Sequence, residues 1–146
     1  AVSNDANHIS GPSRTGEELG FAIKKTLSDA GLTAQNIDYI SAHGTATPYN
    51  DEMEANALNH AGLQQVPANS LKGYYGHTLG AAGLIESVIV IHAIKEGLIF
   101  PSMGYQENGV SRPINICTGL LQKPVKHALK TASGFGGCNA AILFSK

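Results

Sequence analysis

The sequence predicts an α/β fold, in which strands form a sheet and helices pack against it. Strand-like and helix-like runs alternate along the chain, and the count is roughly five strands and three long helices. His43 and His77 each lie in a glycine-flanked turn that follows a strand-like run and precedes a helix-like run. Open α/β sheets bind ligands at the carboxyl ends of their strands, so these two turns indicate an active site. The length of 146 residues suits one ordinary domain.

The first long element is predicted to be an amphipathic helix. Thr15 followed by Glu18 fits a capping box, in which two side chains satisfy backbone N–H groups of the first turn. Apolar residues then recur at helical spacing until Gly31 stops the pattern: Leu19, Ala22, Ile23, Leu27 and Ala30. Ahead of this helix, Ala1–Ser3 has the pattern of a strand.

The next unit is predicted to be a strand, a loop and a helix. The strand covers residues 37–42, and the loop contains His43. Asn50 is placed to cap the helix. The helix carries Met53, Ala57, Leu58 and Ala61, and Gly62 closes it.

A brief strand over Asn69–Leu71, the His77 loop and a third helix follow. This helix is predicted over Ala81–Glu96, ending at Gly97, and it is apolar on nearly every side, which predicts that it is buried. Its longest apolar stretch is interrupted by polar residues and is too short to cross a bilayer.

The C-terminal part is predicted to be three strands, over Ile114–Cys117, Lys126–Ala132 and Ala140–Phe144. The last two are joined by Gly134–Gly137 as a hairpin-like connection.

The composition excludes several classes of function. Ten basic residues against eleven acidic ones leave no charged block that would indicate binding to nucleic acid or to a membrane surface. Cys117 and Cys138 are too few and too unpatterned for a disulfide framework or a cysteine-rich zinc site. We therefore expect a cytoplasmic protein.

Three motifs, taken in order, resemble one known family. They are His43-Gly44-Thr45-x-Thr47-Pro48 with Asp51 and Glu54, Lys72 with Gly76-His77-Thr78-x-Gly80-Ala81-Ala82-Gly83, and Gly134-Phe135-Gly136-Gly137-x-Asn139. Together they resemble the C-terminal half of the β-ketoacyl-acyl carrier protein synthases, across essentially the whole chain. The resemblance implies a thiolase-like half-domain over residues 1–146, a mixed sheet of roughly five strands with helices on both faces. In that fold two similar halves stack into five layers.

The resemblance also implies roles for named residues. His43 and His77 would hold the carbonyl of a malonyl thioester while carbon dioxide leaves, and Lys72 would pair with Glu54 to orient the histidine region. Phe135 would supply an oxyanion-hole N–H from its backbone and gate the pocket with its ring. The remaining implied site residues are Thr45, Thr47 and Gly136 for substrate, and Asp51 and Asn139 for support. No cofactor and no metal are expected.

The nucleophile is expected to lie outside this chain. The family attacks with a cysteine in its N-terminal half, whereas Cys117 and Cys138 are each predicted to be small buried residues. The isolated chain should therefore be inactive and should expose an apolar face. The implied partners are acyl carrier protein, acyl and malonyl thioesters, the missing half or a partner subunit, and a second copy of the full enzyme.

Other interpretations of the same residues rank lower. A non-catalytic subunit resembling a chain-length factor would have no need of an intact His43, Lys72, His77 and Phe135. A thiolase without decarboxylation usually carries a second cysteine in place of the glycine-rich Phe loop. Gly80–Gly83 lacks the spacing of a nucleotide-binding loop. A zinc site built from His43, His77 and a cysteine ranks low, because no two of these residues have the short spacing in sequence that is typical of zinc ligands. Asp51 and Glu54, three residues apart, fit capping or ion pairing as well as catalysis.

Overall fold

The computed structural model describes residues 1–146 and contains one five-stranded sheet and one two-stranded sheet. The strands are β1 (Val2–Asn4), β2 (Tyr39–Ser41), β3 (Ala68–Asn69), β4 (Leu98–Ile99), β5 (Leu121–Gln122), β6 (His127–Gly134) and β7 (Cys138–Ser145). The large sheet has the order β1-β7-β6-β2-β3. Strands β3, β2 and β6 are parallel, whereas β6, β7 and β1 are antiparallel. The predicted mixed sheet and its C-terminal hairpin are confirmed.

Helices cover both faces of this sheet. They are α1 (Glu17–Asp29), α2 (Pro48–His60), α3 (Lys72–Tyr75) and α4 (Ala82–Glu96). Helices α1 and α2 bury their apolar sides with Ile40 and Leu129 on one face of the sheet. Helix α4 packs with Tyr39 and Ala128 on the opposite face. Because neighbouring residues of a strand point to opposite faces, β2 and β6 each contribute to both cores.

The predicted capping box at α1 is wrong. Helix α1 starts after Gly16, which has φ +70°, and no side chain caps it. Thr15 Oγ1 accepts only a 3.4 Å hydrogen bond from the Glu17 N–H. A Cβ at Gly16 would stand 2.3 Å from the Met53 carbonyl oxygen, so contact between the start of α1 and α2 requires glycine there. This long-range contact determines how the helix begins.

Helix α2 also begins differently from the prediction. Its cap position is Thr47, and Pro48 is its first residue, so Asn50 lies inside the first turn instead of capping it. Proline is favoured at this position because its fixed φ suits the helix and its missing N–H would have had no partner.

Three predicted strands are shorter in the structure. The strand predicted over residues 37–42 corresponds to β2, which covers only Tyr39–Ser41. Of Asn69–Leu71, only Asn69 belongs to β3, and Leu71 leads into the short helix α3. Of Ile114–Cys117, only Ile116 makes a bridge, parallel to Ala68. Both backbone hydrogen bonds of this bridge involve Ala68, which donates to the Asn115 carbonyl oxygen and accepts the Cys117 N–H.

The prediction that α4 is buried on all sides is wrong for this chain. Its packed side consists of Ala82, Glu86, Val90, Ala93 and Ile94. Its other side is apolar and exposed, with Leu84 72% exposed and Ile85, Val88 and Ile91 beside it. We call these four residues the open face of α4. Nothing in residues 1–146 covers this face, which agrees with the expectation that the chain exposes an apolar face. No helix in the structure has the length and apolar character needed to cross a membrane.

Candidate active site

The structure brings His43 and His77 together beyond the carboxyl end of β2. His43 lies two residues beyond the end of β2, and His77 follows α3. Their ring centroids are 5.2 Å apart and the rings meet edge to face at 78°. Thus two imidazoles that are far apart in sequence can contact one small group.

The His43 imidazole is neutral over the physiological pH range. His43 is buried, with 6% of its surface exposed. Its pKa is lowered to about 3, first by burial and then by the positive charges of Lys72 and Lys130, against an opposing effect of Glu86. Lys72 Nζ lies 3.4 Å from His43 Nδ1 and 2.5 Å from the His43 carbonyl oxygen. A lysine donates and cannot accept, so Nδ1 is the acceptor and the ring proton is assigned to Nε2.

His77 has the same tautomer for a different reason. Its Nδ1 accepts the backbone N–H of Leu79 at 3.0 Å, which assigns the proton of the neutral ring to Nε2. Leu79 has φ +52°, a rare conformation for a leucine. His77 itself is exposed. Both histidines therefore have Nδ1 occupied, which leaves the proton of each neutral ring on Nε2.

The predicted Lys72–Glu54 pair is wrong. Lys72 Nζ forms a buried ion pair with Glu86 Oε1 at 2.7 Å. Glu54 lies on α2, whereas Glu86 lies on α4 at the opposite face of the sheet. The Glu54 carboxylate is already occupied by other donors.

Glu54 holds the backbone of the His43 turn. Its carboxylate accepts the N–H groups of His43 and Gly44, each at 2.8 Å, and the Thr131 hydroxyl at 2.5 Å. It is 3% exposed. Hydrogen bonds to a buried carboxylate are strong, so Glu54 fixes where the His43 backbone leaves β2.

Sequence reasoning missed Glu86 and Lys130. Glu86 occupies the first turns of the most apolar helix, and Lys130 lies in a strand whose neighbours are buried. Their side chains are 1% and 3% exposed and their charged atoms lie 2.5 Å apart. A lone charge inside an apolar run could have identified each, because charged residues are rarely buried unless paired.

A cleft of about 670 Å³ opens beside the two histidines. Its lining includes the segment 102–110 and five residues of the predicted motifs: His77, Lys72, Thr45, Thr47 and Asp51. The Thr45 and Thr47 hydroxyls are hydrogen bonded to each other at 2.8 Å. Burial raises the pKa of Asp51, and the Glu54 charge adds to this. The cleft therefore offers hydroxyl groups and one imidazole to a ligand.

Phe135 and Gly136 lie in the tight turn between β6 and β7, apart from the residues that line this cleft. The Phe135 side chain is 81% exposed. The buried Asn139 side chain donates to the Gly137 carbonyl oxygen at 3.3 Å and accepts the Ser133 hydroxyl at 2.8 Å, which ties the turn down. Cys138 is exposed, so its predicted burial is wrong, whereas Cys117 is buried as predicted. No group of three or more His, Cys, Asp or Glu side chains has a metal-binding arrangement.

Comparison with known proteins identifies the class and then the family. The chain superposes on a type II polyketide ketosynthase solved with its acyl carrier protein, with a TM-score of 0.91, 33% identity and coverage of 99% of this chain and 36% of that one. It superposes on the ishigamide ketosynthase/chain length factor with a TM-score of 0.92, 30% identity and the same two coverages. The fold is therefore that of the thiolase-like condensing enzymes.

The sequence comparisons give the family. Residues 1–106 match the family described as "Beta-ketoacyl synthase, C-terminal domain". The chain is 32% identical over 151 residues to 3-oxoacyl-[acyl-carrier-protein] synthase 2 of Vibrio cholerae, covering 99% of this chain and 36% of that protein. The chain belongs to the β-ketoacyl synthase family and corresponds to its C-terminal domain. It spans about a third of the length of these relatives.

Proposed function

We propose that this chain is the histidine-bearing half of a 3-oxoacyl-acyl carrier protein synthase, an acyltransferase that performs a decarboxylating Claisen condensation. The observation that carries the proposal is the close approach of the His43 and His77 imidazoles, with ring centroids 5.2 Å apart. Family membership supports the reaction class.

The reaction needs donors for one oxygen. When the malonyl thioester loses carbon dioxide, the bond between its carboxylate carbon and Cα breaks, and the electron pair becomes an enolate with negative charge on the thioester oxygen. His43 and His77 donate their Nε2–H groups to that oxygen. The enolate carbon then attacks the acyl thioester carbon, a C–C bond forms, and the thiolate of the nucleophile leaves.

A neutral His43 suits this role. Its low pKa keeps the imidazole uncharged, so it donates a hydrogen bond without transferring a proton that would quench the enolate carbon. Lys72 and Glu86 orient the His43 ring, and Glu54 holds its backbone. These three are positioning residues.

The Phe135 turn is proposed to serve the other thioester. Its backbone N–H would bind the acyl thioester oxygen, and its exposed ring would gate entry of the acyl chain. Gly136 has φ +78°, which allows a tight turn close to a ligand. Thr45 and Thr47 would bind the arm of the carrier in the cleft.

We infer that the nucleophilic cysteine comes from an N-terminal half that completes the site, and that the isolated chain is inactive. The proposed partners are acyl carrier protein, acyl and malonyl thioesters, and a second copy of the full enzyme. The proposed location is the cytoplasm. No cofactor is proposed. A solved neighbour that is a ketosynthase in complex with its acyl carrier protein supports the carrier as a partner.

A chain-length-factor-like subunit is the second candidate, because one solved neighbour pairs a ketosynthase with such a factor. The intact His43, Lys72 and His77 argue against it: a subunit that performs no chemistry would not need two histidines with matched tautomers and a buried Lys72.

The test is release of carbon dioxide from malonyl-acyl carrier protein by the complete protein. We expect turnover by the wild type and a loss on the order of 10²–10³-fold in His43→Ala or His77→Ala. His60→Ala, which alters an exposed histidine at the C-terminal end of α2, is the control and should retain the wild-type rate. Near-normal turnover by His43→Ala would overturn the proposal, and an inactive wild-type protein would favour the chain-length-factor alternative.

A further inference from the structure

Lys130 is a buried lysine that the reaction described above does not use. It lies in β6 on the face of the sheet that α4 covers, and its side chain is 3% exposed. Burying an ammonium group costs free energy unless it is paired. Its partners therefore indicate what it does.

Those partners belong to the support of His43. Lys130 Nζ lies 2.5 Å from Glu86 Oε2, while Lys72 Nζ holds Glu86 Oε1. The Glu86 carboxylate thus forms ion pairs with two lysines. The same Nζ donates to the carbonyl oxygens of Ser41 at 3.3 Å, Ala42 at 3.2 Å and Thr131 at 2.5 Å. Ser41 and Ala42 are the two residues immediately before His43.

The buried charges balance only when Lys130 is included. Lys72 and Lys130 are the buried cations, and Glu54 and Glu86 are the buried anions. Glu54 approaches the His43 turn from the α2 face, and the other three approach from the α4 side. Without Lys130, the region behind His43 would carry a net negative charge, which would favour protonation of the imidazole.

We propose that Lys130 is a positioning residue for His43: it fixes the end of β2 and occupies the second oxygen of Glu86, so that Lys72 stays aligned on His43 and the imidazole stays a neutral donor. This inference rests on the proposed function. Burial lowers the pKa of Lys130, and the Glu86 carboxylate opposes that change and favours the charged form.

The expected effect is on decarboxylation, with substrate affinity unchanged. Lys130→Met keeps most of the length of the side chain and removes its charged ammonium group. In the complete protein, we expect kcat for carbon dioxide release from malonyl-acyl carrier protein to fall on the order of tenfold, as for other groups that orient a functional side chain, with KM unchanged. Rates are normalised to the sites that can be acylated, which removes losses due to misfolded protein.

The pH dependence gives a readout that a merely structural role would not change. The groups facing His43 are Lys72, Lys130, Glu86 and His77, with Glu54 on its backbone. Removing one positive charge raises the pKa of His43, so Lys130→Met should lose more rate at pH 5 than at pH 8, relative to wild type. Lys130→Arg, which keeps the charge, should restore most of the rate and the wild-type profile.

Leu129→Ala is the matched control, because Leu129 is the neighbouring β6 residue, fully buried in the other core. It should lower stability without changing the normalised kcat or its pH profile. If Lys130→Met does not fold, Lys130→Gln, which can still donate to the Ser41 and Ala42 carbonyl oxygens, is used with the same prediction. A folded charge-free variant with wild-type normalised kcat and pH profile would overturn the inference. A wild-type protein that releases no carbon dioxide would instead overturn the proposed function, and the inference with it.

Discussion

At the residue scale, the two histidines are held by different means. A single local hydrogen bond from Leu79 orients His77, whereas Glu54 and Lys72 hold His43 from opposite sides of the sheet. His77 lies on the surface and His43 is buried. We therefore expect substitutions around His43 to affect both folding and chemistry, and substitutions of His77 to affect chemistry alone.

The burial of His43 predicts a dependence of stability on pH. The unfolded histidine binds a proton below its ordinary pKa of 6.5, whereas the folded one does so only near pH 3. Its contribution to stability is therefore complete above pH 6.5 and is lost progressively as the pH falls toward 3. Between pH 7 and pH 5 the loss should be about 2 kcal/mol at most.

Urea unfolding at the two pH values measures this loss. His43→Gln has no imidazole to titrate, so its free energy of unfolding should change less between pH 7 and pH 5 than that of the wild type. Equal changes in the two proteins would show that His43 titrates normally in the folded state.

Gly44 is predicted to tolerate no side chain. It has φ +41°, and a Cβ there would lie 2.6 Å from the Ser70 Cβ. Gly44→Ala should destabilise the protein by about 2–4 kcal/mol, because left-handed strain and a steric overlap combine. Gly31→Ala is the control: φ is +66° and no atom lies within 4 Å, so only the strain of about 1–2 kcal/mol applies. Equal losses of unfolding free energy in the two variants, measured by urea unfolding, would show that steric overlap with Ser70 contributes nothing at Gly44.

The positions of the candidate site residues could be predicted from the sequence where local pattern determines them. The glycine-flanked turns identified His43 and His77, because a turn after a strand places its side chains at the sheet edge. The partner of Lys72 could not be predicted, because the choice between Glu54 and Glu86 depends on which face of the sheet each helix covers. Lys130 was missed although its single charge inside an apolar strand is a signal in the sequence, because that signal does not say which acidic residue pairs with it.

At the scale of elements, helical periodicity predicted α1, α2 and α4 well, whereas their ends depended on contacts. Gly16 is required at the start of α1 by the Met53 carbonyl oxygen of α2, a neighbour that is distant in sequence. Short strands were the least predictable elements: β3 has two residues, and the segment containing Ile116 forms only one bridge to it. Apolar patterning cannot determine lengths that depend on the pairing partner.

Helix α4 carries a prediction of its own. Its open face is exposed in this chain, whereas Val90 on the packed side is fully buried. Leu84→Gln with Val88→Gln should leave the free energy of unfolding of the isolated chain nearly unchanged. The double substitution should reduce self-association of the chain and its binding of a hydrophobic dye, because both depend on this exposed apolar face. Val90→Ala should cost about 1–3 kcal/mol and leave association intact.

Sedimentation velocity and urea unfolding of the isolated chain separate the two effects. A wild-type chain that is monomeric and binds no dye would contradict the view that another segment covers α4.

At the scale of the whole molecule, the chain is a folded domain, and we propose that another segment completes its active site. It has two cores of its own and spans about a third of its relatives. The chain places two donors, their supporting charges and a cleft at one edge of the sheet, and it leaves an apolar helix face uncovered. We propose that the N-terminal half of the complete protein covers the open face of α4 and brings the nucleophile.

The central claim is that His43 and His77 act together on one enolate oxygen. A double-mutant cycle on carbon dioxide release from malonyl-acyl carrier protein, in the complete protein, tests it most directly. If both donors serve that oxygen, His43→Ala with His77→Ala should be little slower than either single variant, because residues that act as a unit are strongly non-additive. Losses that multiply as independent factors, or a single variant with near-normal turnover, would contradict the claim.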